Sequence, residues 1–154
     1  MPTELQRLIY ASRWAPEIAD SIDETVHRIV TVSIGNNRLV DISGLLLAHE
    51  GWFVQVLEGG RPKIAAAMDR IFRDSRHTEV HILSSGSIPS RSFREWNMTA
   101  TTAGPEVQPF LTELGMVARF DARRLDGGSA LRLMLALAEA ERSRERAALG
   151  LSAA

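Results

Sequence analysis

The chain has 154 residues, enough for one domain with a real core. Apolar residues make up 45% and charged residues 24%, and the formal net charge is −1; these values fit a soluble globular protein and exclude a global field that would recruit nucleic acid or acidic lipid. The absence of cysteine excludes disulfides, thiolate nucleophiles, cysteine-ligated metals and cysteinyl-flavin adducts. The basic residues are nearly all arginine, with Lys63 the only lysine and no long basic run. The N-terminal stretch lacks signal-peptide architecture and no apolar run reaches the length of a membrane span, so a cytoplasmic location is expected.

In chain order, residues 5–12 ("LQRLIYAS") read as a first strand. Residues 16–37 read as a helix: Ile18, Ile22, Val26, Ile29 and Val30 recur at helical spacing, Asp20 or Ser21 suits its start, and Gly35 suits its stop. Residues 39–59 read as two strands joined by a tight turn at Glu50-Gly51. Residues 61–77 read as a second helix with Pro62 in its first turn and an apolar stripe of Ile64, Ala67, Met68 and Ile71. Residues 79–88 read as a fourth strand and 95–102 as a fifth, at an edge.

The order β-α-β-β-α-β plus one strand predicts an α+β, ferredoxin-like sandwich with two helices on one face of the sheet. The other face carries Ile9, Val54, Val56 and Ile82, opposite Tyr10, Gln55 and Leu83, and an apolar face of that size needs a cover. Two C-terminal helices, in 106–120 and 128–149, are expected to supply it. The second is apolar nearly all round from Leu131 to Ala138, so it can pack on the sheet and on another protomer, while residues after Glu139 are expected to extend into solvent. Gly104-Pro105 marks a linker between residues 1–103 and a helical cap at 104–154.

Four features remain once the core is assigned. Gln55 sits mid-strand on an apolar face, and a buried primary amide left unpaired costs roughly 1–3 kcal/mol. Tyr10 lies on the neighbouring strand of this topology, Asn36 and Asn37 follow the first helix, and "RIFRDSRH" brings Arg70, Asp74, Arg76 and His77 to the end of the second. Singly, three of them have a plain structural role (a core tyrosine, a helix stop, a solvated helix end), and Gln55 is the hardest to dismiss. Together a phenol, amides and apolar walls converge between two helices, which is the make-up of a small-molecule site. His27, His49, His77 and His81 are scattered, with no metal-ligand spacing, so no metal is expected.

These pieces resemble a known family. "RLIYAS", "NNRLVDISGLLL", "GWFVQVLEG", "RIFRDSRH" and "RSFREWNM" are similar, in order, to the blocks of BLUF domains, the blue-light sensors using flavin, over residues 5–103. Asp41 and Ser43 depart from residues common in the family, at a strand start. The resemblance implies noncovalent flavin between the two helices, with FAD the default and FMN or riboflavin possible. It implies that Tyr10 is the photoactive tyrosine and Gln55 the amide between it and the flavin. It implies cofactor contacts from Asn36, Asn37, Arg70, Asp74 and His77, and apolar walls from Ile29, Val30 and Phe53. Light-driven electron and proton transfer from Tyr10, followed by rotation or tautomerisation of Gln55, would give a reversible red-shifted state. Trp96 and Met98 on the last strand would relay it to the C-terminal helices, and thence to a partner protein or a homo-oligomer. No enzymatic activity, nucleic acid or membrane is expected. Rival readings are a light-inactive interaction module and an acylphosphatase-like enzyme using Arg13 with Asn36 or Asn37. A flavin reductase has no nicotinamide-binding signature to support it.

Overall fold

The computed structural model describes residues 4–150; the outermost parts of the expected 1–103 and 104–154 segments, residues 1–3 and 151–154, lie outside the described residues. Strands β1 (Leu5–Trp14), β2 (Ser43–His49), β3 (Trp52–Gly60), β4 (His77–Ser87) and β5 (Ala100–Thr101) form one sheet in the order β4-β1-β3-β2-β5. The first four pair antiparallel, and β5 runs parallel to the edge of β2. This is the ferredoxin-like order, and it places β1 beside β3. Helices α1 (Ile22–Leu39) and α2 (Arg61–Arg73) cover one face. Helices α3 (Gln108–Glu113) and α4 (Gly127–Ala148) cover the other.

Local chemistry accounts for most of these elements. The β2–β3 hairpin turns through two residues, Glu50 and Gly51, both at positive φ (47° and 87°), the geometry that matches strand twist. Pro62 occupies the first turn of α2, and Ile64, Ala67 and Met68 are its buried stripe. Asp126 starts α4 by accepting from the Ser129 amide at 2.7 Å.

Several sequence expectations change. The first helix opens as a 3-10 turn over Pro16–Ser21, and Ser21 makes no side-chain capping bond. Gly35 does not stop it: α1 runs on to Leu39, so Asn36 and Asn37 sit inside its last turns. Helix α2 ends at Arg73, which leaves Arg76 outside it and His77 at the start of β4. The fifth strand is only two residues long, so Trp96 and Met98 lie in the segment before it. The first cap helix shrinks to six residues and stops before Gly115, at φ 69°.

The faces of β4 also differ from simple alternation. Ile9 pairs with Ser84 and Tyr10 with Ile82, so the register skips Leu83. This bulge turns Leu83 toward the cap-side core and leaves Ile82 51% exposed. The cap itself is as expected: Leu133, Met134 and Leu137 of α4 pack with Ile9, Val54 and Val56. Residues after Glu139 do not simply trail into solvent. Arg142 pairs with Glu95 and lies over the Trp96 ring, and Glu145 accepts from Trp96 Nε1 at 2.8 Å.

Candidate functional site: a slot between two helices

Tyr10 and Gln55 are direct partners in the β1–β3 register. Both face α1 and α2, and both are buried. The Tyr10 hydroxyl donates to Gln55 Oε1. Gln55 Nε2 donates to the Met98 sulfur at 3.2 Å. The amide that seemed out of place on an apolar strand therefore has both ends occupied, and it bridges a phenol to the segment before β5.

Tyr10, Ile29, Asn36, Asn37, Gln55, Arg70, Asp74 and His77 line one slot. The expected wall residues Val30 and Phe53 are not on its lining; they pack in the core on the same side of the sheet. Asn37 is buried and its Nδ2 donates to the Asn97 carbonyl at 2.8 Å, which ties the end of α1 to the residue between Trp96 and Met98. Sequence reasoning missed Val32, Ser33 and Leu57 as lining, took Ala67 and Ile71 only as the apolar stripe of α2, and left Arg76 outside the site. Helical spacing carried a signal for two of these: Ile29, Ser33 and Asn37 are four apart, as are Val32 and Asn36.

Electrostatics at the slot floor follow from burial and one anion. Burial pushes the Tyr10 phenol well above its ordinary range, and the Asp74 carboxylate pushes it further the same way, so the hydroxyl keeps its proton. Burial pulls the Asp74 carboxyl upward, but bonds from the Arg76 guanidinium and amide, with the nearby His77, outweigh it and hold the carboxyl below its usual range. Burial lowers His77, the attraction of Asp74 opposes it, and Arg76 adds to the lowering. The His77 side chain is 4% exposed and its Nδ1 lies 2.8 Å from Ser12 Oγ. Its ring packs on Phe53 and edge-on to Tyr10.

The donor set fits a flavin. Ile29 and Val32 from α1 and Ala67 and Ile71 from α2 offer apolar walls to a flat ring. Asn36, Asn37, Gln55 and Arg70 offer donors and acceptors to an imide-like edge. The acylphosphatase-like arrangement does not come together: Arg13 pairs with Glu79 and lies over Trp52, whereas Asn37 borders the slot.

Fold and slot together define a ferredoxin-like domain with a polar-floored slot between two helices. The family model for BLUF, "Sensors of blue-light using FAD", matches residues 5–99. The chain belongs to the BLUF family, whose members bind flavin.

The photoactivated adenylate cyclase subunit alpha of Euglena gracilis is 31% identical over 97 residues, which is 62% of this chain and 9% of that protein. The chain thus spans about a tenth of the length of the curated relatives it matches. Among solved structures, the photo-activated state of BlsA matches with a TM-score of 0.80 and 25% identity, over 87% of this chain and 94% of that one. The dark-state structure of BlrB, a BLUF protein, matches with a TM-score of 0.68 and 26% identity, over 91% and 99% of the two chains. A bacterial light-regulated adenylyl cyclase matches with a TM-score of 0.65 and 32% identity, over 74% of this chain and 34% of that one.

Proposed function

We propose that the protein is a blue-light photoreceptor that holds flavin, with FAD the default, between α1 and α2. The observation that carries this reading is the chain of bonds from Tyr10 through the Gln55 amide to Met98. Bound flavin supplies a ring that absorbs blue light and oxidises a nearby phenol when excited. Tyr10 is the donor of the electron and then the proton. Gln55 stands against the phenol and borders the slot, and an amide can exchange donor and acceptor ends by rotating or by tautomerising. Rotation would exchange which atom faces Met98, and tautomerisation would change which atom carries the proton, so either would alter the hydrogen bonds offered to a bound ring and to Met98. Asn36, Asn37 and Arg70 orient the ring edge, Ile29 forms part of the wall, and Asp74 and His77 keep the floor beside Tyr10 polar but largely dry. Val30 and Phe53 support that wall from behind.

The relay runs through the segment before β5. Met98 accepts from the Gln55 amide in the slot-side core, and Trp96, two residues earlier, packs in the cap-side core and donates to Glu145 of α4. A change at Gln55 thereby has a short route to the C-terminal half of α4, which in this reading is the element that a local switch biases. Residues 104–154 are the output extension in this reading. Leu135, 37% exposed near the middle of α4, supports association with a second copy or a downstream protein there. Among the described residues no helix is long and apolar enough to cross a membrane, and cytoplasmic action on a protein partner is the expected setting.

The test is an absorption spectrum of the purified protein before and after blue light, with recovery followed in darkness. A yellow protein whose flavin band moves reversibly to the red supports the reading. A yellow protein that never shifts, or a colourless one that rejects added flavin, overturns it. Sedimentation in dark and light tests the oligomer, and a single monomeric species in both would remove that part.

A further inference from the structure

Among the described residues Glu58 is the only carboxylate that is fully buried. A buried charge is strongly disfavoured unless it is paired and hydrogen-bonded, and Glu58 is both. Arg7 Nε donates to it at 2.9 Å. The backbone amides of Ser92 and Phe93 donate to it at 2.9 and 2.7 Å. Arg7 also donates to Ser92 Oγ at 2.9 Å. Beside it Arg91 donates to Ser43 Oγ at 2.8 Å and to the Asp41 carbonyl at 2.6 Å. Arg7, Glu58 and Ser43 are register neighbours on β1, β3 and β2, so residues 91–93 are pinned along one line across the sheet.

The pinned residues open a segment with an unusual path. Residues 88–99 carry no regular secondary structure and join β4, at one edge of the sheet, to β5 at the other. Phe93 and Trp96 belong to the cap-side core, but Met98 belongs to the slot-side core. The segment therefore changes faces between Trp96 and Met98. It does so against Gly44, whose amide donates to the Trp96 carbonyl at 2.9 Å and where a Cβ would lie 3.1 Å from Met98 Cε. The five steps from Phe93 to Met98 span at most roughly 18 Å, at about 3.3–3.6 Å per residue. A wrap that short has little slack, so its two ends are coupled. One end is held by Glu58 and the other touches Gln55. Both are on β3, three residues apart, and so on opposite faces.

We propose that Glu58 is a positioning residue for the photocycle: by fixing residues 91–93 on the cap face it sets where Met98 meets Gln55, and through that the lifetime of the light-produced state. Glu58 does not line the slot. The inference rests on the photoreceptor reading above. An anchored segment gives the Gln55 amide one well-defined neighbour, and slackening it lowers the barrier to the amide's return.

The experiment compares dark recovery of the full chain, loaded with flavin, in wild type, Glu58→Gln and Leu111→Ala. The last variant loosens the same cap-side core without touching the clamp. Glu58→Gln is expected to keep flavin and the red shift and to recover at least fivefold faster, while Leu111→Ala recovers within twofold of wild type. If Glu58→Gln does not fold, Arg7→Met takes its place under the same criterion, since it removes the charge partner and the bond to Ser92. Recovery of the clamp variant within twofold of wild type, or slower than it, overturns the inference, as does an equal acceleration in Leu111→Ala. A wild-type chain that binds flavin without shifting would overturn the photoreceptor reading and this inference with it; a normal wild type beside an unchanged clamp variant overturns this inference alone.

Discussion

On β3 the side chains alternate between two environments. Trp52, Val54 and Val56 enter the core beneath α3 and α4, where the neighbours are aliphatic and aromatic, among them Leu133, Met134, Phe93 and Phe120. Phe53, Gln55 and Leu57 face α1 and α2, where the neighbours include Tyr10, Met98 and the slot. Apart from the Glu58 clamp at the end of β3, the cap side has no polar gap to keep open, so it closes by volume and tolerates repacking. The slot side leaves a lined opening and spends its buried polar groups on oriented bonds, which fixes a geometry at the expense of packing. One set of strands thus carries a stabilising face and a responding face, and the period of two along each strand keeps them apart.

The sharpest break of that division is at the paired polar groups. Tyr10→Phe and Gln55→Leu should each abolish the light-induced red shift while the protein stays folded and yellow, as read from absorption spectra. Tyr10 is the only tyrosine in the chain, so no second phenol can substitute. Gln55→Leu should also cost about 1–3 kcal/mol in urea unfolding, because it strands the buried Tyr10 hydroxyl. On the other face, Leu133→Ala should cost about 2–5 kcal/mol in the same assay, by leaving a cavity in the cap-side core, with the size of the shift unchanged. A smaller effect is expected where the faces communicate. Trp96→Phe removes the bond to Glu145 and should cost about 1 kcal/mol, with faster amide exchange in the last turns of α4 and the red shift retained.

The least effect is expected from pH. His77 is held below its ordinary value of 6.5 in the fold, so the folded state binds its proton less readily than the unfolded chain. Its contribution is fully present above 6.5 and is lost as pH falls toward the depressed folded value. Asp74, also depressed, adds a second loss that starts only below its ordinary value of 3.8. Urea titrations from pH 7.5 to 5 should show a mild fall in stability that His77→Gln flattens. An equal fall in that variant would assign the effect to another group.

Much of this architecture was legible in the residues. Turn chemistry at Glu50-Gly51, Pro62 opening α2 and the apolar stripes gave the element order, and that order alone put Tyr10 beside Gln55. The bonds between Tyr10, Gln55 and Met98 needed only strand alternation to be anticipated in part. What stayed hidden was set by tertiary contacts. Gly35 looked like a stop, yet α1 continues because Asn37 finds the Asn97 carbonyl and its own carbonyl accepts from the Ile42 amide. The bulge that exchanges Leu83 and Ile82 leaves no mark in an apolar run. Trp96 and Met98 read as strand residues from their position in 95–102, although their segment is held by isolated backbone bonds and side chains instead. Glu58 falls near the end of the two-strand stretch 39–59, and nothing local announces that it collects two amides and a guanidinium from distant parts of the chain. Residues beyond Glu139 look like a solvated helix tail, and only the packing of residues 92–96 gives Arg142 and Glu145 their partners.

The most direct test of the two-face account is a set of light-minus-dark absorption spectra recorded on wild type, Gln55→Leu and Leu133→Ala under one lamp and one temperature. The account predicts a red-shift signal in wild type, the same signal in the less stable Leu133→Ala, and none in Gln55→Leu despite bound flavin. A Gln55→Leu protein that still shifts, or a folded Leu133→Ala protein that does not, would contradict it.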